Sequence, residues 1–463
     1  MGIVSDSALA ELRAAITGEI ARRGEPGYPE LVTGFNLLSP TNPDIAVVPE
    51  NEAEVQAVVK WAVANGLTVH PQATGHGAYR ELDHGVLLKT NKLDHIEVDL
   101  AAGRWRMGAG LRWMQALPHL HEAGLGAVTG SAKTVGVVGL TMGGGIGPIG
   151  RKFGMAADWI RGYRVVDAKG DLLVVDSEQH ADLFWALRGG KVGLGVVTEV
   201  TFQTLPLPFL YAGGIFYAEE HIDRLAHAWL DWTKGLPEEV GTSFAILRLP
   251  PDLPEPLGGK TVFHLRFTYA ELGLTNEELQ ERGERWLSTW REIAGEPVLD
   301  TVGILPSDRV GEVHAEPEGP LPIWEWGDFL KEIDHAFIDK LLESAGAGKV
   351  SPLATVEVRL HGGALARDPE YPSAIGGRKE PFTLLVLGVP IPEVVPWDVV
   401  EAAGYGIRDA VKDYSGAEVN YNWANHPSPE IFANRLWSKE NAAKLKEIRA
   451  KYDPNRVFEY GNE

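Results

Sequence analysis

IAVVPENEAEVQAVVKWAVANGLTVHPQATGHGA, residues 45–78, is the stretch on which the fold turns. Ile45 to Val48 is a short apolar run bounded by Pro43 and Pro49, which reads as a buried strand. Asn51 is placed to cap a helix, with Glu54 three residues later as in a capping box and Val55, Val58, Val59 and Ala62 at helical spacing. Asn65-Gly66 ends that helix. Leu67 to Gln72 reads as a second strand and delivers the chain into a loop, Ala73-Thr74-Gly75-His76-Gly77-Ala78. Strand, helix, strand and glycine loop together open an α/β unit.

The unit continues outward. Glycine-rich segments run from Gly124 to Gly150, and further strands are expected at Arg164 to Asp167, Leu172 to Asp176 and Val196 to Phe202. After Pro206 and Pro208 the texture changes to alternating strands such as Thr261 to Tyr269 and Thr355 to His361, mixed with Trp-rich helical stretches. This predicts a second domain over 206–410 built on an antiparallel sheet, between a first domain at 1–205 and a C-terminal part at 411–463. Asn441 to Tyr452 reads as a helix carrying Lys444, Lys446, Arg449 and Lys451, ended by Asp453-Pro454.

A chain of 463 residues exceeds what one hydrophobic core usually supports, so two domains or one domain with a large insertion are expected. Hydrophobic residues make up 44% and charged residues 23%, a globular composition. The net charge of -21 argues against nucleic acid or an anionic membrane surface as partner, since both need a basic footprint. There is no cysteine, which excludes disulfides, thiolate nucleophiles, zinc-thiolate sites and iron-sulfur clusters, so redox chemistry here needs a cofactor. The N-terminus, MGIVSDSALAELRAAITGEIARRG, has an acidic amphipathic helical pattern, unlike a signal peptide, and no run of about 18 apolar residues occurs. The expected location is the cytoplasm.

Gly143-Gly144-Gly145-Ile146-Gly147-Pro148-Ile149-Gly150 contains a literal GxGxxG, and Asp167 lies about where a dinucleotide fold places its ribose-binding acid. That keeps a nicotinamide dehydrogenase open as an alternative. Against it, Thr141-Met142 leads into the glycines where a clean strand should stand. Glycines at this density let backbone N–H groups approach a polyanion, and two such segments in one unit suit a ligand as long as a dinucleotide.

Five blocks in order carry a family resemblance: IAVVPENEAEVQAVVKWA; QATGHGA; GSAKTVGVVGLTMGGGIG with RKFGMAAD; DLFWALRGGKVGLGVVTEV; and YNWANHPSPEIF with KYDPNRVF. The chain resembles the berberine-bridge-enzyme-like branch of the vanillyl-alcohol-oxidase flavoproteins over Ile45 to about Leu205 and Ala417 to Phe458, with a weaker match at VEVRLHGGALAR. The resemblance implies an α+β, two-domain fold: an FAD-binding domain made from both chain ends, and an antiparallel-sheet substrate domain that roofs the flavin. It implies an FAD-dependent oxidase of an alcohol, sugar or secondary metabolite, with oxygen as acceptor. A flavin dehydrogenase with another acceptor and a non-catalytic flavin-binding protein remain alternatives.

By the same resemblance the loop of Pro71, Gln72, Ala73, Thr74, Gly75, His76, Gly77 and Ala78 wraps the FAD pyrophosphate, and His76 is the residue bonded to the flavin. Many relatives add a second bond through a cysteine, but Ala132 stands at that position here. Gly136, Gly139, Thr141, Gly143, Gly144 and Gly145 are implied to lie along the FAD, Val197 near its adenine side, and Asn422 near its ring system. Val135 takes the place where oxidases of the family carry valine. Where many relatives have a catalytic tyrosine this chain has Asn420, so proton abstraction falls to another group. Glu357 and His361, on the polar side of an alternating strand, are the titratable candidates. Tyr79 is a third, if Arg359 lowers its pKa, and Arg359 is otherwise expected to orient the substrate. No metal site is expected.

Overall fold

The computed structural model describes residues 4–191, 193–424, 426 and 434–458; most of the YNWANHPSPEIF block, namely 425 and 427–432, lies outside the described residues. Ile45–Val48 is a strand with every residue buried, and Glu52–Ala64 is a helix whose N-cap Asn51 accepts the Glu54 N–H at 3.0 Å. The other half of the expected capping box does not form. The Glu54 carboxylate accepts instead from the N–H groups of Thr17, Gly18 and Glu50 and from the Thr17 hydroxyl, which ties the chain after the Asp6–Ala15 helix to this helix start.

Three sheets carry the chain. In the first, Glu19–Arg22 pairs antiparallel with Ile45–Val48, which runs parallel to Val86–Lys89 and, through it, to Val69–Gln72. The second is wholly antiparallel, in the order Ile96–Asp99, Arg104–Gly108, Val196–Gln203, Ile160–Val166, Leu172–Val175. The first region is therefore two sheets where the sequence suggested one α/β unit. Apolar runs of strand length do not tell parallel from antiparallel pairing.

The third sheet spans Phe209–Ala218 to Phe382–Gly388 and is also antiparallel. Its register puts Ser243 beside Arg266 and Arg359, and Arg359 beside Thr383. These residues share a face with His264, Thr268, Glu357 and Glu325, while Phe244, Leu265, Val358 and Leu384 occupy the other. The apolar face lies under Trp-bearing helices. Trp229 of Ile222–Trp232 meets Phe244, Trp290 of Asn276–Ala294 stacks on Phe263, and Trp324 meets Tyr405 of Trp397–Val411. All three indoles are fully buried, and truncating one costs about 3–5 kcal/mol.

The polar face is buried too. Glu357 is 2% exposed, Arg359 6% and His361 2%, so this side of the sheet is not the solvated one of an ordinary antiparallel layer. It packs on the glycine-rich segment: the Thr268 hydroxyl donates to the Pro148 carbonyl at 2.8 Å, and Arg359 Nη2 donates to the Ser131 hydroxyl at 2.9 Å. The sheet thus forms a roof over the loops that the sequence singled out.

Candidate active site

Val69–Gln72 ends at the loop that carries His76. Gly75 adopts φ +76°, and a Cβ there would stand 3.0 Å from the Gly34 Cα, so only glycine fits both the backbone and the neighbour. The carbonyls of Thr74 and Gly75 accept from the N–H groups of Phe35 and Asn36. This anchors the loop while leaving Pro71 to Ala78 half-buried, with Gly77 exposed. The His76 ring is stacked on Phe35 with centroids 3.6 Å apart and an 11° interplanar angle, and its Nδ1 and Nε2 lie 2.8 and 3.1 Å from the hydroxyls of Thr74 and Thr134. Burial, with the Arg112 charge second, pushes its pKa down to about 3. The imidazole is therefore neutral near pH 7, with one ring nitrogen unprotonated and nucleophilic.

The second glycine segment faces this loop. A Cβ on Gly136 would meet the Ala73 side chain at 3.2 Å, while Gly139 is exposed with nothing within 4 Å of its Cβ position. Val135 is half-buried, not a sealed core residue, and its carbonyl accepts the Trp113 N–H. Thr141 is fully buried and its hydroxyl is used by the carbonyls of Val137 and Val138, so it shapes the Val137–Thr141 helix rather than facing a ligand. Gly144 and Gly145 pack on Met155 and Ala156, and Val197 is a buried strand residue opposite Val165 in the second sheet.

The dinucleotide-dehydrogenase alternative is overturned by this geometry. Gly145 to Gly150 follows a helix, not a strand, and a Cβ on Gly147 would fall 2.1 Å from the Thr129 carbonyl, so this glycine is used for chain packing. Asp167, the expected ribose acid, accepts the N–H groups of Lys169 and Asp171 within a hairpin turn. A Rossmann fingerprint needs a strand before the glycines and its acid at the end of the next one.

Asn422 lies against Gly143, where any Cβ would sit 2.1 Å from its Oδ1. Its Nδ2 donates to the Leu140 carbonyl at 2.7 Å, and its Oδ1 accepts from Lys191 Nζ at 3.0 Å. Asn420 is fully buried and accepts the Asn422 N–H, a positioning contact in place of a phenol. Lys191 was missed in the sequence. It holds φ +57°, uncommon for a lysine, and its ammonium lies 5.0 Å from the Tyr421 ring centre. Burial pushes its pKa down to about 8, the Glu325 carboxylate pulling the other way. The available signal was a lysine inside the glycine run of RGGKVGLG.

The roof residues sit differently from what the sequence suggested. Tyr79 is buried, and burial, then Glu325, raise its phenol well above the usual value; it is hydrogen-bonded to Glu325 and Asn36, and no cation lowers it. Glu357 stands 2.8 Å from Arg266 Nη1 and 3.1 Å from Arg359 Nη2. Burial alone would raise its carboxyl, but the two guanidiniums hold it well below the usual range. His361 lies 3.2 Å from the Thr383 hydroxyl, and burial, with Arg359 and Arg151, pushes its pKa down to about 3. The polar side chains of the strand are thus brought together, but as an ion-paired cluster.

These residues fit FAD. The cradle from Gln72 to Gly77 and from Gly136 to Gly143 has its glycines where a Cβ would intrude or where the surface is open. Lys89, whose Nζ donates to the Gln72 side chain at 2.8 Å, and Arg112, whose charge acts on both Lys89 and His76, set basic side chains beside the loop that would hold a pyrophosphate. Among the described residues no cluster of metal-ligating side chains occurs, and no helix is long and apolar enough to cross a membrane.

Comparison with known proteins agrees with this geometry. Residues 43–176 match the FAD binding domain family, and residues 419–462 match the berberine and berberine-like family. An uncharacterised FAD-linked oxidoreductase of Bacillus subtilis, YvdP, is 26% identical over 96% of this chain and 97% of its own. (R)-6-hydroxynicotine oxidase of Paenarthrobacter nicotinovorans is 30% identical over 46% of this chain and 47% of its own. Glucooligosaccharide oxidase from Acremonium strictum, solved with a 6-S-cysteinyl, 8α-N1-histidyl FAD, superposes with a TM-score of 0.78 at 21% identity, covering 98% of both chains.

Proposed function

We propose, for a chain that belongs to the berberine-bridge-like, FAD-dependent oxidases, that FAD is attached through His76 alone, that a hydroxylated small molecule is oxidised, and that oxygen is the acceptor. The observation that carries the reading is His76 itself: a neutral ring clamped between Thr74 and Thr134 and stacked on Phe35, at the edge of a glycine cradle. Ala132 at the cysteine position leaves a single attachment. Held by His76 and the glycine cradle, FAD would supply the two-electron oxidation of the substrate and its reoxidation by oxygen to hydrogen peroxide.

The protein's part is to position the substrate and take its hydroxyl proton. Lys191 is the acceptor in this reading. Its amine is held by Asn422 Oδ1, which in turn is fixed because Asn422 Nδ2 is committed to the Leu140 carbonyl. A pKa near the working pH is what a general base needs, and about 8 meets that condition better than the ion-paired Glu357 or the His361 ring at about 3. Arg359, 5.3 Å from the Trp423 ring centre, binds and orients the substrate.

The test is anaerobic mixing of the purified protein with oligosaccharides and hydroxylated aromatics, following loss of the oxidised flavin band, then admission of oxygen. Bleaching followed by rapid return of colour with peroxide formation supports the reading. Bleaching without reoxidation by oxygen would make the enzyme a dehydrogenase, and a protein without flavin would end the proposal.

A further inference from the structure

Between the roof and the glycine-rich segment is a small cavity of about 20 Å³, bounded below by Ile146, Pro148 and Arg151 and above by the strands Val240–Arg248, Thr261–Tyr269 and Leu353–Leu360. Among the described residues, four polar atoms of its lining find no hydrogen-bond partner: Ser243 Oγ, Arg266 Nε, Arg359 Nη1 and His314 Nδ1. Their residues are 2%, 5%, 6% and 4% exposed, so bulk water does not serve them. Buried polar groups without partners are rare in folded proteins, and four around one cavity mark a place built to receive something.

What it receives follows from the donors. An arginine N–H only donates. His314 Nε2 lies 3.0 Å from Arg359 Nη2, so it accepts from that nitrogen and the ring proton is on Nδ1, which therefore also donates. Ser243 Oγ supplies a fourth donor. The two guanidiniums, Arg266 and Arg359, are ion-paired with Glu357, the Glu316 carboxyl lies within electrostatic reach of both, and His314 is neutral with a pKa pushed down to about 3 by burial and then Arg266. Arg151 adds little, since its guanidinium is spent on the backbone carbonyls of Leu236, Pro237, Val240 and His361.

We propose that this cavity binds a carboxylate on the substrate, so that the compound oxidised is a hydroxy acid. Such a group offers acceptor oxygens to the donors of Arg266, Arg359, Ser243 and His314. Arg359 links the cavity to the reacting region: the same guanidinium that opens Nη1 to the cavity donates through Nη2 to Ser131 and lies over Trp423. A carboxylate in the cavity therefore leaves the rest of the molecule on the Trp423 side of Arg359. This inference rests on the oxidase reading above, and its test keeps the two apart.

Binding to the flavin-loaded protein is measured by calorimetry, which needs no turnover, with benzoate against benzamide as probes. Benzoate should bind at least about tenfold more tightly, the scale of a charge-assisted hydrogen bond. Arg266→Gln should remove that preference and leave benzamide unchanged, and the smaller change Ser243→Ala should weaken benzoate about threefold, giving a second measurement if Arg266→Gln does not fold. In parallel, mandelate against mandelamide and glucuronate against glucose are compared as anaerobic reductants, the acid of each pair being favoured. Equal binding of benzoate and benzamide, or an Arg266→Gln protein that keeps the preference, overturns the carboxylate site even if neutral alcohols bleach the flavin. Preference for benzoate with no bleaching by any compound overturns the oxidase reading and leaves the site standing.

Discussion

Lys191 Nζ and Asn422 Oδ1 are 3.0 Å apart, although their residues lie in segments separated by the whole substrate sheet. The contact sets an amine, pushed down to about 8 by burial, beside the residue that the resemblance puts near the flavin ring. Lys191→Met should slow anaerobic flavin reduction by about 100-fold or more, the usual scale for a lost general base. In the wild type the rate should rise with pH and level off above about 8, because only the unprotonated amine accepts a proton. That limb should vanish in the variant. Lys191→Gly is a useful companion, since the φ of +57° suits glycine and the fold should not suffer. Unaltered reduction in both would move the base elsewhere.

His76 gives a test that needs no substrate. The wild-type protein precipitated with acid should leave a yellow pellet, and His76→Ala should leave the colour in the supernatant. With Ala132 in the second position no other side chain replaces the link. A colourless wild-type pellet would mean that FAD is held by the cradle alone.

Gly143 and Asn422 are a second pair whose fit is tight. A methyl group on Gly143 would fall 2.1 Å from the Asn422 amide oxygen, so Gly143→Ala must displace that side chain and with it the partner of Lys191. Anaerobic reduction should slow by about tenfold or more, and the rising limb of the pH profile should shift, while the flavin stays on His76. An unchanged profile would show that Asn422 does not hold Lys191 in the working enzyme.

How much of this the sequence disclosed depends on the range of the interaction. Asn51, Val55, Val58 and Val59 mark their helix because capping and amphipathic spacing are local, and the Thr261–Tyr269 strand appears at its expected bounds. Glu54 was misread because its partners, Thr17 and Gly18, lie 36 or 37 residues away. The same holds at the site. His76 was legible from its loop, whereas Lys191 acquires meaning only when Asn422 is folded against Gly143, and Glu357 changes from a candidate base to an ion-pair member only when Arg266 reaches across from the second strand over. Alternation showed that Glu357 and Arg359 share a face. It could not show that the face is covered.

Val135 bears on the acceptor. It is half-buried and follows Thr134, whose hydroxyl contacts His76, the proposed point of flavin attachment. Val135→Leu adds a methylene there and should slow reoxidation by oxygen in stopped-flow experiments by about tenfold or more while leaving the reductive half-reaction within about twofold, as expected if the group fills space rather than joins the chemistry. Equal reoxidation rates would detach Val135 from oxygen access.

Glu357 is the group whose removal should be felt as stability before it is felt as chemistry. Its carboxylate is 2% exposed and lies between Arg266 and Arg359, so Glu357→Gln leaves two buried guanidiniums facing an amide. Breaking a buried pair in this way costs about 3–5 kcal/mol, which a urea titration of the substrate-sheet fluorescence would detect as an earlier midpoint. The pH dependence has a definite sign. Because the folded carboxyl titrates well below its ordinary value of 4.5, the unfolded chain binds the proton first as pH falls, so the stabilisation is present above about 4.5 and is lost progressively below it, down through the folded pKa. Between pH 6 and 3 the wild type should therefore lose stability more steeply than Glu357→Gln, and the difference between the two curves isolates this one group from the chain's other carboxylates. Adding Arg266→Gln to Glu357→Gln should recover part of the loss, since one uncompensated charge is removed. A wild-type curve parallel to that of Glu357→Gln would show that the carboxylate is not held ionised by its two arginines.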